Sequence, residues 1–395
     1  MPVLSPESVS ALQEIVRQAG RDDTPLFPLG GATHLTLGNP PARHGKIVGC
    51  GALDRVIDYP ARDMTITVQA GITIARLQEI LAAEKQRLPI DVPDAAHATL
   101  GGTLAANVSG PRRLGFGTLR DYVIGISAVN DAGDEFKAGG RVVKNVAGYD
   151  MCKLLVGSLG TLGIVTQVTL KLRPRPESSR LVLLAASSAS LTEALDRLHG
   201  TRTRPVAVEL LGGEDEFDLP GSVGPTDWRI AVGFEGNAET VDWQTKRLIE
   251  EWAGAASLLD ADESATAWHV LVDSVMRESS PCHFKASLPA SGVGRFCVDH
   301  RKPGWLLQAQ AASGIVWGYG RPGLTLEEAG TMLTSWRGAA ASAGGSVVVV
   351  RCPPEWKNAL NVWGPPPENA WLLREVKRKF DPRGLFNPGR FVAGI

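Results

Sequence analysis

The chain has 395 residues, of which 44% are hydrophobic and 21% are charged. This composition is typical of a folded protein with a large core in two or three domains, and it excludes a disordered or fibrous chain. The 41 Lys and Arg residues nearly balance the 42 Asp and Glu residues, so no global positive charge would attract nucleic acid or an acidic membrane surface.

The N-terminal residues predict a helix over 6–19, with Ser5 as its N-cap, rather than a signal peptide. No apolar run approaches the ~18 residues of a membrane span. The five cysteines are scattered, and their spacing predicts neither a metal site nor the thiolate set of an iron–sulfur cluster. We therefore expect a cytoplasmic protein without a metal, whose contact with the inner membrane, if any, is made through other proteins.

Short apolar segments and Gly-rich turns alternate in the first part of the chain. This pattern predicts a helix over 73–84 and strands over 26–28, 46–49, 64–69, 122–130, 134–137 and 164–172. Residues 129–134 predict a hairpin turn between two of these strands. Two prolines and several polar residues follow the last strand, and they predict a domain boundary near residue 176.

The second part contains all ten tryptophans, between Trp228 and Trp371. Its pattern predicts helices over 190–199, 238–253, 262–276, 325–342 and 369–379, and strands over 181–185, 206–210, 229–234, 294–298, 305–310 and 346–351. The fold class expected for the whole chain is therefore α+β. Most of the tryptophans are expected to fill the core, and an exposed minority would mark an interface.

Residues 318–323 match the dinucleotide pattern G-x-G-x-x-G. However, Pro322 would stiffen the turn, and no acidic residue follows about 20 positions later to bind a ribose hydroxyl. We interpret this segment as a tight turn between a strand and a helix.

Four Gly-rich loops of the first part give the strongest indication of function: Pro28–His34, Pro93–Gly110, Gly115–Asp121 and Gly157–Val165. Adjacent glycines let successive main-chain amides converge into a concave nest for a phosphate. Few charged residues are available to neutralise a diphosphate, so the loops predict an extended ligand bound mainly by amides, such as a dinucleotide. The fourth loop leads into a strand, which excludes Rossmann geometry.

Five segments then resemble a known family: Thr99–Asn107, Gly117–Asp121, Val143–Asp150, Leu154–Val165 and Phe380–Phe391. Together they resemble the PCMH-type FAD-binding family with the vanillyl-alcohol oxidase fold, and in particular the FAD-binding subunits of bacterial glycolate oxidases. The resemblance implies a two-subdomain FAD-binding domain over 1–176 and an α+β cap domain over 177–375. A C-terminal segment over 376–395 would return to the FAD domain.

The same resemblance implies which residues would surround noncovalently bound FAD. The diphosphate would be held by Gly30, Gly31, Ala32, Thr33, Thr103 and Ala106. The flavin side would be lined by Pro93, Thr99, Gly102, Asn107 and Gly110. The adenine and ribose would be enclosed by Gly117, Thr118, Asp121, Gly160, Gly163, Ile164 and Val165. Pro28 and Gly101 belong to the same set, and Asn387 would return from the C-terminus toward the flavin. His34 and His97 are the candidate points for covalent attachment of the flavin, and noncovalent binding is favoured.

The function implied by the resemblance is oxidation of glycolate, a small 2-hydroxy acid, to glyoxylate. Electrons would pass to an iron–sulfur subunit of a complex that also contains a catalytic FAD subunit. Two departures from related dehydrogenases concern the chemistry: Leu159 stands where they carry Glu, and their late His-rich segment is missing. The catalytic base is therefore unassigned.

The remaining candidates for chemistry are few. His283 and His300 could act as a base, and Arg351 could bind a carboxylate. Lys144 and Tyr149 could contact the cofactor or the substrate. Two other functions stay open: a self-sufficient 2-hydroxy-acid dehydrogenase of the D-lactate type, and a scaffold subunit that has lost its flavin.

Overall fold

The structure is a computed structural model that describes residues 3–140, 150–212, 217–277 and 279–395, so Lys144 and Tyr149 lie outside the described residues. Its helices are α1 Val9–Arg21, α2 Ile74–Ala83, α3 Leu100–Ala106, α4 Arg113–Phe116, α5 Leu119–Tyr122, α6 Met151–Leu155, α7 Leu191–His199, α8 Ala238–Glu251, α9 Ala261–Asp273, α10 Val293–His300, α11 Leu326–Ser342, α12 Lys357–Leu360 and α13 Ala370–Phe380.

The strands are mostly short. They are β1 Val3–Leu4, β2 Leu26–Leu29, β3 Lys46–Gly49, β4 Val56–Asp58, β5 Thr65–Gln69, β6 Gln86–Arg87, β7 Val123–Val129, β8 Glu135–Gly139, β9 Ile164–Lys171, β10 Arg173–Pro174, β11 Ser178–Ala186, β12 Ala207–Gly212, β13 Trp228–Gly236, β14 Ala256–Leu258, β15 His283–Ser287, β16 Trp305–Gln310, β17 Ile315–Gly320 and β18 Ser346–Arg351.

The chain forms two compact units. The first comprises Met1–Val108, Thr118–Arg175 and Pro365–Ile395, and the second comprises Ser109–Gly117 and Pro176–Gly364. The C-terminal segment thus joins the first unit from Pro365 onward, and a short segment from the middle of the Gly-rich region belongs to the second unit.

The first unit contains a parallel three-stranded sheet in the order β1-β3-β2 and an antiparallel five-stranded sheet in the order β4-β5-β9-β7-β8. β6 and β10 form a further short pair. Leu12, Val16 and Ala19 of α1 are buried against strand residues such as Leu26 and Val48, because apolar residues three and four positions apart share one helix face. These sheets hold the Gly-rich loops in place.

Two details of the first unit concern the sequence-based predictions. The hairpin turn predicted over 129–134 is confirmed, since β7 pairs with β8 on either side of it. The predicted N-cap of the first helix was wrong. Ser8, not Ser5, is the cap, and its hydroxyl accepts a hydrogen bond from the Ala11 amide at 3.1 Å.

The second unit is built on an antiparallel eight-stranded sheet in the order β14-β11-β13-β12-β16-β17-β15-β18. Residues of α7, α8, α10 and α11 form one large apolar core with the sheet, and residues of α9 join a second apolar cluster. The strand predicted over 294–298 was wrong, because this segment is α10. Its buried residues Val293, Phe296, Cys297 and His300 follow helical spacing.

The tryptophans and the G-x-G-x-x-G segment are placed largely as predicted. Trp228 and Trp336 are fully buried, whereas Trp243 and Trp371 are among the exposed large apolar residues. Gly318 and Gly320 lie within β17, and Gly323 occupies the turn that leads to α11. The segment is therefore a turn between a strand and a helix.

Candidate functional site

A cleft in the first unit brings three of the Gly-rich segments and the C-terminal segment together. Its cavity volume is about 70 Å³, and the cleft is partly open to solvent. The predicted cofactor residues that line it are Pro28, Gly30, Thr99, Gly101, Gly102, Gly160, Gly163, Ile164, Val165 and Asn387. Leu29, Cys50, Ala70, Ala105, Ser158 and Leu159, which were not predicted, complete the lining. None of these residues is Asp, Glu, Lys or Arg, so the cleft has no carboxylate that would repel a phosphate.

The first loop, residues 30–34, offers a run of free main-chain donors. Within the described part of the chain, the five successive amides of Gly30, Gly31, Ala32, Thr33 and His34 donate no hydrogen bond. Ala32 is in the left-handed region with φ of 63°, a change of conformation that lets neighbouring amides point to one side. Gly30 lines the cleft, and the other four residues follow it along the chain. Such a run fits a diphosphate.

Gly31 is required by close packing between the first two loops. A Cβ atom at this position would lie 1.7 Å from the carbonyl oxygen of His97. This distance is far below van der Waals contact, so the backbone of the first loop can lie against the second loop only if residue 31 is glycine. Gly31 was predicted as part of a phosphate-binding nest, and the close packing of the two loops is a second reason why this position requires glycine.

The second loop contains α3, a short helix that was not predicted, and its amides are largely used within the protein. Thr99 caps α3, and its hydroxyl accepts a hydrogen bond from the Gly102 amide at 3.3 Å. The Gly101 amide donates to the Ala70 carbonyl at 2.7 Å. The small residues of this loop therefore give the cleft its space, whereas the free amides belong to the first loop.

The C-terminal segment closes another side of the cleft through Asn387. Its side-chain amide donates to the Leu159 carbonyl at 2.6 Å, and its main-chain amide donates to the Leu26 carbonyl at 3.0 Å. Leu159 has a positive φ of 51° and also lines the cleft. Asn387 therefore lies beside the Gly-rich loops of this unit, and its role toward the flavin stays a prediction.

The other predicted cofactor residues lie outside the cleft lining. Gly31, Ala32 and Thr33 follow Gly30 in the first loop. Pro93, Thr103, Ala106 and Asn107 lie on the second loop or on α3, and Thr118 and Asp121 form the capping box of α5. Gly110 and Gly117 belong to the second unit. The Thr103 hydroxyl is buried and has no hydrogen-bond partner among the described residues, which is unusual for a buried polar atom.

The two histidines near the loops have nearby polar partners. Thr33 Oγ1 lies 3.0 Å from His34 Nδ1, and burial lowers the pKa of His34, with Asp94 acting in the opposite direction. His97 Nδ1 lies 2.7 Å from Asp94 Oδ1. Thr118 donates hydrogen bonds to Asp121, and these lower the pKa of that carboxyl group.

The second unit carries a row of polar side chains on one face of its sheet, which the sequence analysis missed. The register places Lys285 opposite Trp317, and Trp317 opposite Gln308, so their side chains share a face. Tyr319 donates to Gln308 Oε1 at 3.0 Å, and Gln308 Nε2 donates to the fully buried Glu209 at 2.8 Å. Tyr319, Gln308 and Glu209 therefore form a connected hydrogen-bonded chain inside the unit.

Lys285 is the cation of this face. It is partly exposed, and its ammonium lies 5.5 Å from the centre of the Trp317 ring. Burial, and secondarily the charge of Arg113, lower the pKa of Lys285 to about 8. Neither Lys285 nor Arg113 forms an ion pair with a carboxylate of the described chain. Two cations that repel each other and lack a carboxylate partner would favour the binding of an anion.

The histidine and arginine candidates from the sequence are placed as follows. Both ring nitrogens of His300 have neighbours, since Nδ1 lies 2.9 Å from the Phe296 carbonyl and Nε2 lies 3.3 Å from Ser335 Oγ. His283 is buried, and burial lowers its pKa to about 4, so its ring is neutral at pH 7. Arg351 ends β18 opposite His283. Of these three candidates, His283 is the one with a buried ring nitrogen, Nε2, that lacks a partner among the described residues.

A sequence signal for the missed polar face does exist. Glu209, Lys285 and Gln308 each stand between apolar neighbours in strand-like segments, and Gln310 follows Gln308 by two positions. A polar residue at alternate positions of an otherwise apolar strand indicates a buried polar face rather than a solvent-exposed one. Because β15 was not predicted as a strand, the sequence did not assign Lys285 to either face of the sheet.

Three further observations concern metals, membranes and thiols. The described residues contain no group of three or more His, Cys, Asp or Glu that could hold a metal ion. None of the helices in the described ranges has the length and apolar character needed to cross a membrane. All five cysteines are buried free thiols.

Comparison with protein families places this geometry among flavoproteins. The family model described as an FAD binding domain matches residues 2–139. The chain is 32% identical over 286 residues to the glycolate oxidase subunit GlcE of Escherichia coli strain K12, and the match covers 62% of this chain and 78% of that protein.

A second relative and a solved structure extend the comparison. The chain is 35% identical over 190 residues to a D-2-hydroxyglutarate dehydrogenase of Xanthomonas citri pv. viticola, which covers 48% of this chain and 40% of that protein. The solved structure of an alkyldihydroxyacetonephosphate synthase superposes with a TM-score of 0.73 and 17% identity, over 98% of this chain and 77% of that one. This last similarity concerns the fold alone, and it confirms the expected α+β fold class.

Proposed function

Because the chain belongs to the PCMH-type FAD-binding family of the vanillyl-alcohol oxidase fold, whose members are FAD-dependent oxidoreductases, we propose that it is the FAD-binding subunit of a glycolate oxidase complex. In this complex, glycolate is oxidised to glyoxylate and the electrons pass to an iron–sulfur subunit. The observation that carries the proposal is the run of five free amides beside a cleft without charged residues.

The residues of the first unit fit FAD. The amides of residues 30–34 would hold the diphosphate, and the small residues Gly101, Gly102 and Gly160, which line the cleft, would let the backbone approach the cofactor closely. Bound FAD would give the buried hydroxyl group of Thr103 a hydrogen-bond partner. Neither His34 nor His97 needs to be attached to the flavin in this arrangement, so the binding is proposed to be noncovalent. When bound, FAD supplies the acceptor for the hydride that leaves the carbon of the hydroxy acid.

The subunit role follows from the histidines of the second unit. Oxidation of a hydroxy acid requires a group that takes the hydroxyl proton. His300 is engaged through both ring nitrogens, and His283 is buried and only weakly basic. We therefore place the base in a catalytic FAD subunit of the same complex. This chain would bind its own FAD and take part in passing electrons to the iron–sulfur subunit.

A second candidate function is favoured by Lys285 and Arg113. Two cations without a carboxylate partner suit the carboxylate of a 2-hydroxy acid such as glycolate or D-lactate. Such a site favours a self-sufficient 2-hydroxy-acid dehydrogenase, with His283 as the remaining nitrogen base. A scaffold subunit without flavin is disfavoured, because that function does not explain why five successive main-chain amides donate no hydrogen bond within the described chain.

Anaerobic reduction of the bound flavin distinguishes the two functions. The purified chain, loaded with FAD, is mixed with glycolate or D-lactate, and the loss of flavin absorbance at ~450 nm is followed over time. The subunit role predicts that neither acid bleaches the flavin until the catalytic and iron–sulfur subunits are added. Rapid bleaching of the isolated chain by either acid would overturn the subunit role in favour of the dehydrogenase.

A further inference from the structure

Two of the five cysteines lie at the same end of the eight-stranded sheet in the second unit. Cys282 directly precedes β15, and Cys352 directly follows β18, the strand at the edge of that sheet. β15 and β18 are antiparallel, and His283 is opposite Arg351. Continued by one residue, this register places Cys282 opposite Cys352. Residues at opposite positions of antiparallel strands have Cβ atoms roughly 4.5–5.5 Å apart.

Burial and electrostatics support the same placement. Both cysteines belong to the large apolar cluster that the helices form with the sheet, as expected for side chains on one face. Burial raises the pKa of Cys282, and the neighbouring Cys352 thiol raises that pKa further. Cys297 belongs to the same cluster, but its pKa is raised by burial without a contribution from another thiol. Cys282 and Cys352 are therefore a pair, whereas Cys297 is isolated.

A disulfide between the paired cysteines requires only a small movement. The Cβ atoms of a disulfide are roughly 3.5–4.5 Å apart, so the two strand ends would approach by ~1 Å. The Cys282 carbonyl accepts a hydrogen bond from the Gly320 amide at 2.9 Å, which ties Cys282 to β17. β18 has a neighbouring strand on one side only, and Cys352 lies just beyond its last residue. The movement therefore falls on Cys352.

The two thiols differ in how readily they would react. Cys352 is 4% exposed, whereas Cys282 is fully buried. Burial raises the pKa of Cys352 to about 11, and the charge of Lys357 acts in the opposite direction. Thiols with raised pKa values are slow nucleophiles, so we expect oxidation over hours rather than seconds. The oxidant must be small and uncharged to reach them, as hydrogen peroxide is.

We propose that Cys282 and Cys352 form a redox-active thiol pair that a peroxide oxidises to an intrachain disulfide. The Cys352 sulfur attacks one oxygen of hydrogen peroxide, so an S–O bond forms, the O–O bond breaks, and the released hydroxide takes the thiol proton. The Cys282 sulfur then attacks this sulfenic acid, so the S–S bond forms, the S–O bond breaks, and a second water leaves with the Cys282 proton. Two thiols lose two electrons and two protons, and one peroxide becomes two waters.

The experiment treats the purified full-length chain with hydrogen peroxide at ~1 mM and counts free thiols after denaturation. The count is expected to fall from five to three, because one disulfide consumes two thiols. Digestion with trypsin is expected to release residues 278–285 joined to residues 352–357, and dithiothreitol is expected to separate them. The disulfide closes a long loop of chain, so the melting temperature should rise by at least about 4 °C.

Single variants test the order of the two steps. Cys282→Ala removes the second thiol, so peroxide is expected to leave a sulfenic acid on Cys352, which dimedone labels. Cys352→Ala is expected to show neither the linked peptides nor a label on Cys282. Cys297→Ala is the matched control, because it removes a buried thiol of the same cluster, and it is expected to form the linked peptides as the unchanged chain does. Circular dichroism establishes that each variant is folded.

Several results on the unchanged chain would overturn the pair, and they need no variant. These are five free thiols after treatment, a disulfide that joins other cysteines or two chains, or oxidation of Cys352 to a sulfinic acid without a link. The inference does not rest on the proposed function, because the reaction involves two thiols of the second unit and no flavin. A chain that forms the disulfide but binds no FAD would contradict the proposed function alone.

Discussion

Gly31 sets the separation of the first two Gly-rich loops. In Gly31→Ala, the new Cβ would collide with the His97 carbonyl oxygen, so the loops must move apart. We expect a loss of about 1–3 kcal/mol in unfolding free energy and at least a tenfold weaker affinity for FAD. Urea unfolding and flavin fluorescence titration measure the two effects. Gly330→Ala is the matched control, because a Cβ at Gly330 meets no atom within 4 Å.

Lys285 provides a prediction about pH and anion binding. Its pKa is lowered to about 8, so its positive charge is lost as pH rises through that value. Binding of oxalate, a carboxylate probe, is expected to weaken between pH 7 and pH 9, and Lys285→Met is expected to abolish this dependence. Equal pH dependence in both proteins would contradict an anion site at Lys285. The exposed Lys302→Met serves as the control.

The same residue predicts the direction of a stability change. The pKa of Lys285 is lower in the folded protein than its ordinary value of 10.5, so the unfolded chain binds more protons between these values. The contribution of Lys285 to unfolding free energy therefore rises with pH between about 8 and 10.5. At pH 7, Lys285→Met is expected to be more stable than the unchanged chain by about 1–3 kcal/mol, because a charge that is partly removed from water no longer has to be accommodated. Denaturation at pH 7 and pH 10 tests this.

At the scale of an element, the turn after α13 positions Asn387. The buried Asp381 accepts hydrogen bonds from the amides of Leu385 at 2.9 Å and Phe386 at 2.8 Å, and from Lys377. Asp381→Ala would leave the Lys377 ammonium without its counter-ion. We expect a loss of about 3–5 kcal/mol in unfolding free energy, together with weaker FAD binding because Asn387 is no longer held.

The control for this element lies on the same helix. Glu375 pairs with Arg378 on the surface, and Glu375→Ala is expected to change unfolding free energy by less than about 0.5 kcal/mol. A similar small effect for Asp381→Ala would mean that the turn does not hold the C-terminal segment in place. Chemical denaturation of the two variants in parallel measures the difference.

The elements show which features a single sequence can predict. α1, β5 and β9 carry clear helical or alternating patterns, and they were predicted within a few residues. The segment of α10 is short and has few apolar residues, so its sequence does not distinguish the helical period from the alternation of a strand, and the strand prediction there was wrong. Asn387 could be assigned to the cofactor only through the family resemblance, since 228 residues of sequence separate it from its partner Leu159.

The polar face of the second unit was missed for a different reason. Glu209, Lys285 and Gln308 lie on β12, β15 and β16, and only the order and register of the strands bring them together. Strand order within an antiparallel sheet depends on packing between distant segments, which one sequence does not reveal. The Gly-rich loops, in contrast, are local features, and three of them meet at the cleft.

At the scale of the whole molecule, two units have separate cores, and the free amides lie in the first. FAD is therefore expected to protect the amides of residues 30–34 from hydrogen exchange, because these donors would gain phosphate acceptors. Peptides from α11 in the second unit serve as an internal reference. Mass spectrometry with and without FAD measures the exchange. Unchanged exchange over 30–34 in the FAD-loaded chain would show that the diphosphate is held elsewhere.

The central claim is that the first unit binds one FAD through main-chain amides beside the cleft. Calorimetric titration of FAD into the flavin-free full-length chain tests it most directly. We predict one FAD per chain with a Kd in the micromolar range or below, and competition by ADP, which carries the diphosphate and adenosine but no flavin. Absence of heat, together with a chain that stays colourless after incubation with FAD, would contradict the claim.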